Sequence, residues 1–187
     1  AAVWDALAAH AGAFNRVALC AFGAADAAST AKTDAAGYYA DANASNMAFY
    51  WPHVKIAAPA ITELATGEST IQGATITVSP ESYAAAARSR AVQQAGGPWR
   101  VGAGGISAGR NLKGLASDVT PATGDALDAA RVNAIRKVGD SIRVYGARSV
   151  SSDESNWRYI SMRDTMNYIV FGVEERMERH VFSVIDG

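Results

Sequence analysis

Short apolar runs rich in β-branched residues alternate with helical patterns along most of this chain, and that alternation restricts it to a layered α/β domain. Residues 3–14 place Val3, Trp4, Leu7 and Phe14 at helical spacing, and RVALCAF at 16–22 reads as a buried strand. Residues 24–42 predict a helix broken or capped near Gly37. NMAFYWPHVKIA, 46–57, predicts a strand whose Pro52 belongs at an edge or a bend. STIQGATITVSP, 69–80, alternates Ile71, Ile76 and Val78 with threonine and predicts a strand carrying a glycine bulge or turn. Pro80 opens a helix through ESYAAAARSRAVQQA, with Glu81 in the first turn, where the helix dipole favours an acid.

Residues 96–124 are glycine-rich, contain Pro98 and Pro121 and show little periodicity, so a long loop is expected, and loops of that length usually carry function or bind partners. GDALDAARVNAIRKV then predicts a short helix running into a strand, and SIRVYGARSV predicts a second strand. Residues 161–180 show helical spacing through Met162, Met166, Ile169, Val173 and Met177, and VFSVID closes on a strand pattern. The fold expected is a layered mixed β-sheet with flanking helices, a single domain over 1–187. A closing strand with no capping element reads as part of something longer.

Alanine dominates the hydrophobic fraction of 49%, and none occurs after Ala147. Alanine adds helix propensity more than core-building area, so the core is expected from the larger apolar residues and the last part of the chain should be the better packed. A net charge of −1 argues against a nucleic-acid surface, which would carry a basic stripe. Lys32, Lys55, Lys113 and Lys137 are the only lysines. The arginine excess suits protein interfaces, and it is equally what a GC-rich coding bias produces. The single cysteine, Cys20, permits no internal disulfide and reads as a core residue. The first residues lack a basic leader, and no apolar run is long enough to cross a bilayer, so a soluble chain is expected.

One stretch suggests catalysis. GISAG, 105–109, has the letters of the G-x-S-x-G nucleophile elbow, with Ser107 as nucleophile, Asp140 or Asp153 as acid and His180 as base in the order of that fold. The elbow needs a buried strand immediately before the serine and a helix immediately after it. Here GPWRVGAG precedes and RNLKGLASDVTP follows, which argues for a loop and an incidental serine. VGAGGISAG also lacks the phosphate-loop ending and the dinucleotide spacing. His10, His53 and His180 are isolated from one another, so no metal site and no cofactor is expected. The EERMER run at 174–179 reads as a solvated helix face.

Five blocks, in order, resemble contractile tail sheath proteins of myovirus tails, R-type pyocins and related injection systems. Ala48 to Lys55 (AFYWPHVK) is similar to that family's A-L-Y-Y-P-W-V-K strand, and Gly97 to Gly104 (GPWRVGAG) to its G-V-W-K-A-P-A-G segment. Leu127-Asp128 with Val132 to Arg136 (VNAIR) resembles L-N followed by G-(I/V)-N-x-I-R. Val144 to Asp153 (VYGARSVSSD) resembles V-W-G-A-R-T-L-S-S-D, and Trp157 to Arg163 (WRYISMR) resembles W-R-Y-I-N-V-R. Arg90 departs from the acid of an A-R-T-D motif, Tyr145 from tryptophan, and Asp164 from a second arginine.

The resemblance implies a structural subunit without an active site. It would polymerise as hexameric rings stacked around an inner tube protein and contract to drive the tube through a cell envelope. No nucleic acid or small-molecule substrate is implied. The particle would be a phage tail, assembled in the host bacterial cytoplasm, or a bacterial injection device. Without the family's terminal arms, this stretch would be monomeric or weakly associated. The resemblance singles out Trp51, Pro52, Trp99, Arg100, Asn133, Arg136, Gly146, Arg148, Trp157, Arg158 and Arg163 as structural or intersubunit residues. Trp99 and Trp157 are expected to anchor loop ends in the core.

Overall fold

A computed structural model describes residues 2–58 and 75–181. Among the described residues there are two sheets and five α-helices. The larger sheet has the order β1-β2-β6-β7, with β1 (Ala18–Ala21), β2 (Met47–Trp51), β6 (Val132–Val138) and β7 (Ser141–Val144). β1, β2 and β6 run parallel, and β7 returns antiparallel on β6, so the sheet is mixed as expected. The smaller sheet is antiparallel, ordered β4-β3-β5, with β3 (Val54–Ala57), β4 (Thr75–Val78) and β5 (Leu112–Leu115).

Strand alternation divides the core into two layers. Met47, Phe49 and Trp51 of β2 and Val132 and Ala134 of β6 face one way, against α1 (Ala2–Ala13), α2 (Ala28–Ala36) and α4 (Pro121–Ala129). Ala48, Tyr50, Ile135, Ile142 and Val144 face the other way, against α3 (Glu81–Ala95), the first turn of α5 (Ile160–Met177) and the smaller sheet. β2 is buried at every position because helices or strands cover both of its faces.

The helices lie on the sheet through alanine. Ala8 and Ala11, Ala31 and Ala35, and Ala84, Ala87 and Ala91 are buried at helical spacing, which lets each helix axis approach the larger strand side chains. Alanine therefore builds core, contrary to the composition argument. The expected gradient of packing is reversed as well. The best-buried strand lies in the first half, and α5 buries only Ile160 and Ser161.

Other boundaries moved for local reasons. The 46–57 strand is two strands in different sheets, because Pro52 bends the chain at a cis Trp51–Pro52 bond. The helix expected over 24–42 is confined to Ala28–Ala36. Residues 96–124 are not one loop: they contain a 3-10 turn (Gly104–Ser107), all of β5 and the first turns of α4. Thr120 caps α4 by accepting from the Thr123 N–H, and Pro121 occupies its first turn. β4 realises the second half of the 69–80 strand, whose first half lies outside the described residues. The closing strand over 181–186 lies beyond Val181 and outside them too.

Candidate functional site

The motif residues converge where β6 meets the chain leaving β7. Asn133 is buried on β6, and its amide clamps three backbone groups. Nδ2 donates to Phe49 O at 3.0 Å and to Arg148 O at 2.9 Å, while Oδ1 accepts from the Arg148 N–H at 2.6 Å. Gly146 is required by this contact: a Cβ there would lie 2.9 Å from Asn133 Oδ1 and 3.0 Å from its Cα. The clamp lets Arg148 reach outward. Its Nε and Nη2 hold the two oxygens of Asp128 at 3.0 Å each, and Nη1 reaches Glu154 at 3.2 Å. Bidentate pairing of this kind fixes angle as well as distance.

The same segment then zips onto the chain ahead of α5. Ser149 N–H donates to Arg158 O at 3.1 Å, Ile160 N–H to Ala147 O at 2.9 Å, and the Ser149 hydroxyl to Trp157 O. Asp153 orders the intervening turn by accepting from Asn156 and Ser155, and those hydrogen bonds hold its carboxyl down at about 2. Trp157 is half-buried, with the Arg163 guanidinium 3.8 Å from its ring centroid. Arg163 also donates to Ser45 Oγ, tying α5 to the 3-10 turn (Ala44–Asn46) that leads into β2. Arg158 lies 5.4 Å from the Tyr159 ring, and its Nε has no acceptor among the described residues.

The remaining singled-out residues sit apart. Trp51 is buried and donates Nε1–H to Asp26 O at 2.9 Å, and Pro52 is buried beside it. Trp99 anchors nothing in the core: it is 56% exposed and folds back over Gly97. Arg100 is exposed. The Arg136 guanidinium sits over Tyr145, its Cζ 3.3 Å from the ring centroid. Two departures from the sheath motifs are each absorbed. Asp164 takes Arg88 through both oxygens at 2.5 and 2.6 Å, and Arg90 donates to Ile106 O and Ala108 O.

Ser107 is neither a nucleophile nor incidental. It is fully buried, and its hydroxyl donates to Gly104 O at 2.7 Å and accepts from the Val144 N–H at 3.0 Å, with Val144 O 3.2 Å away. Gly109 N–H donates to Ile142 O at 3.0 Å, and Tyr83 Oη–H bridges Ser107 O and Ile142 O. The loop thereby covers the outer edge of β7, where a row of backbone groups would otherwise be bare. Among the described residues no strand immediately precedes the serine and no α-helix immediately follows it, so the elbow geometry is absent. Glycine freedom signalled this loop in the sequence, but a partner 37 residues away in sequence left no local trace.

Cys20 is buried on β1, and burial pushes its thiol up to about 12, in keeping with a core role. α5 is the surface exception. Met162, Met166, Ile169, Val173 and Met177 form a stripe left 40–61% exposed, with Trp99 and Trp157 beside its first two residues and Phe171 and Tyr168 exposed along it.

No protein-family model and no curated protein matches the chain by sequence. Solved structures do match it. The contracted helical sheath of the anti-feeding prophage aligns with a TM-score of 0.72 and 20% identity over 100% of this chain and 45% of that one. The contracted sheath complex of an extracellular contractile injection system, PVC, aligns at 0.66 and 20% over 90% and 42%. A chain of the six-fold symmetrised anti-feeding prophage baseplate aligns at 0.67 and 18% over 95% and 42%. The chain thus has the fold of part of these assemblies' chains and spans less than half of their length.

Proposed function

We propose that this chain is the core of a contractile sheath subunit, a structural part without catalytic work. The observation that carries the reading is the fold, which follows sheath chains of two contractile particles over 90–100% of its length. Two features of the molecule support it. The convergent residues are spent on holding backbone segments together, with the serine, the clamp asparagine and the arginine forks all hydrogen-bonded inside the chain. The apolar face of α5 is a surface of the kind that protein–protein contact covers.

In the full-length protein, subunits of this kind would stack as hexameric rings around an inner tube protein. Contraction would repack rigid bodies and drive the tube through a target envelope, from a phage tail or an extracellular injection particle. Electron microscopy of the full-length product tests this. Cylinders of two lengths, long before triggering and short after it, are expected. A product that forms no tubular polymer under any assembly condition overturns the reading.

A further inference from the structure

Arg136 and Arg143 stand directly opposite each other on β6 and β7. Opposed residues of an antiparallel pair share a sheet face, with Cβ atoms about 5 Å apart, and like charges there repel. By strand alternation that face is the one α1, α2 and α4 cover elsewhere, but both arginines are only half-buried. Neither guanidinium has a hydrogen bond or ion pair with any described residue, which sets the two apart from Arg88, Arg131 and Arg163, whose Nε atoms also lack an acceptor but whose other nitrogens are engaged. Arg136 is nevertheless held over the Tyr145 ring.

Beside it opens a cavity of about 410 Å³ lined by Arg136, Tyr145, Gly124, Asp125, Asp128 and Arg148, among others. Arg148 and Asp128 engage each other, so the lining holds one cation without an ion pair, Arg136, against one exposed carboxylate, Asp125, and Arg143 adds a second cation opposite Arg136 on the neighbouring strand. A buried donor left without an acceptor is costly, and a repelling cation pair adds to the cost. An incoming pair of carboxylates would relieve both.

The same chain carries a matching anionic pair. Glu174 and Glu178 are exposed, four residues apart at the end of α5, where like charges also repel. Side chains at that spacing are separated by about 5–6 Å at Cβ, close to the cross-strand spacing of the arginines. From Phe171 onward α5 buries no side chain, so this end is available to a neighbour.

We infer that the Arg136–Arg143 pair is a docking site for the Glu174–Glu178 pair of a second copy of this chain. Made with a different neighbour at each patch, the contact is head-to-tail and propagates copies in a ring or helix. The inference rests on the sheath reading only in taking the neighbour to be another copy.

Charge exchange between variants of this chain tests it, read by sedimentation velocity. The unaltered chain should self-associate, and at least tenfold more weakly when salt rises from about 0.1 M to about 1 M, as screening shortens from about 10 to about 3 Å. Arg136→Glu with Arg143→Glu should abolish association, and so should Glu174→Arg with Glu178→Arg. A mixture of the two variants should associate again. If the first variant fails to melt cooperatively, Arg136→Gln with Arg143→Gln takes its place and should lose association with itself, while its Glu174–Glu178 pair still docks on the arginines of the unaltered chain. A mixture that stays monomeric, or association indifferent to salt and to these substitutions, overturns the contact. Neither result bears on whether the full-length product forms cylinders.

Discussion

Asn133 grips the backbone of Arg148 from both sides, accepting from its N–H at 2.6 Å and donating to its carbonyl at 2.9 Å. One side chain thus replaces a stretch of ladder where β7 has ended and β6 continues. Its second donor contact, to Phe49 O, ties the same amide to β2. Asn133→Ala would leave these buried groups unsatisfied, at about 1–3 kcal/mol for each group stranded. A fall in the urea midpoint worth about 3 kcal/mol or more is expected, larger than that for Asn156→Ala in the exposed turn.

Gly146→Ala should also destabilise, by about 1–3 kcal/mol, because the new methyl would press on Asn133 backbone that cannot swing aside. Gly105→Ala is the control. Its Cβ would meet nothing within 4 Å, and its φ is not positive, so stability should be unchanged or slightly raised. Thermal melts of the two variants read the difference directly.

Ser107→Ala removes the hydroxyl that satisfies the Val144 N–H at the edge of β7. A loss of about 1–3 kcal/mol in denaturant unfolding is expected. Hydrogen exchange at the Val144 amide should rise with it. A fluorophosphonate probe should leave Ser107 unlabelled, since its oxygen is buried and engaged by backbone.

Cys20 opens the alkaline loss of stability. Burial raises its thiol from 9.0 to about 12, so between those values the unfolded chain loses a proton that the folded chain keeps. This contribution to stability is intact below pH 9 and is lost as pH climbs toward 12. Cys20→Ser should flatten the profile between pH 9 and 10 and leave the loss above pH 10, to which Tyr38 and Tyr50, raised from 10.0 to about 12, contribute with the same sign. Iodoacetamide at pH 8 should modify the thiol only in denaturant.

The alternation of strands and helices was legible because each element carries its own period, and Met47 to Trp51 declared itself by aromatic and apolar content. β5 was not: LKGL has one glycine and one lysine in four residues, and it is a strand only because β3 offers it a register. The stripe on α5 was read correctly as helical, but periodicity says only which residues share a face and not whether anything covers it. Of the site, arginine and asparagine positions could be singled out by resemblance. Their partners, Asp128, Phe49 and Glu154, are joined to them only by the fold. Ser107 was misjudged for the same reason, since its work is done on a strand far along the chain.

The passage from Trp51 to Val54 crosses between the two sheets in two residues, Pro52 and His53. In mechanical terms that is a linkage without slack. Tension applied to the small sheet through β3 arrives at β2, which is hydrogen-bonded on both sides by parallel strands and is loaded in shear along its length. A part built this way transmits displacement and does not absorb it. Pulled by that sheet, it should travel as one block until β2 itself gives way.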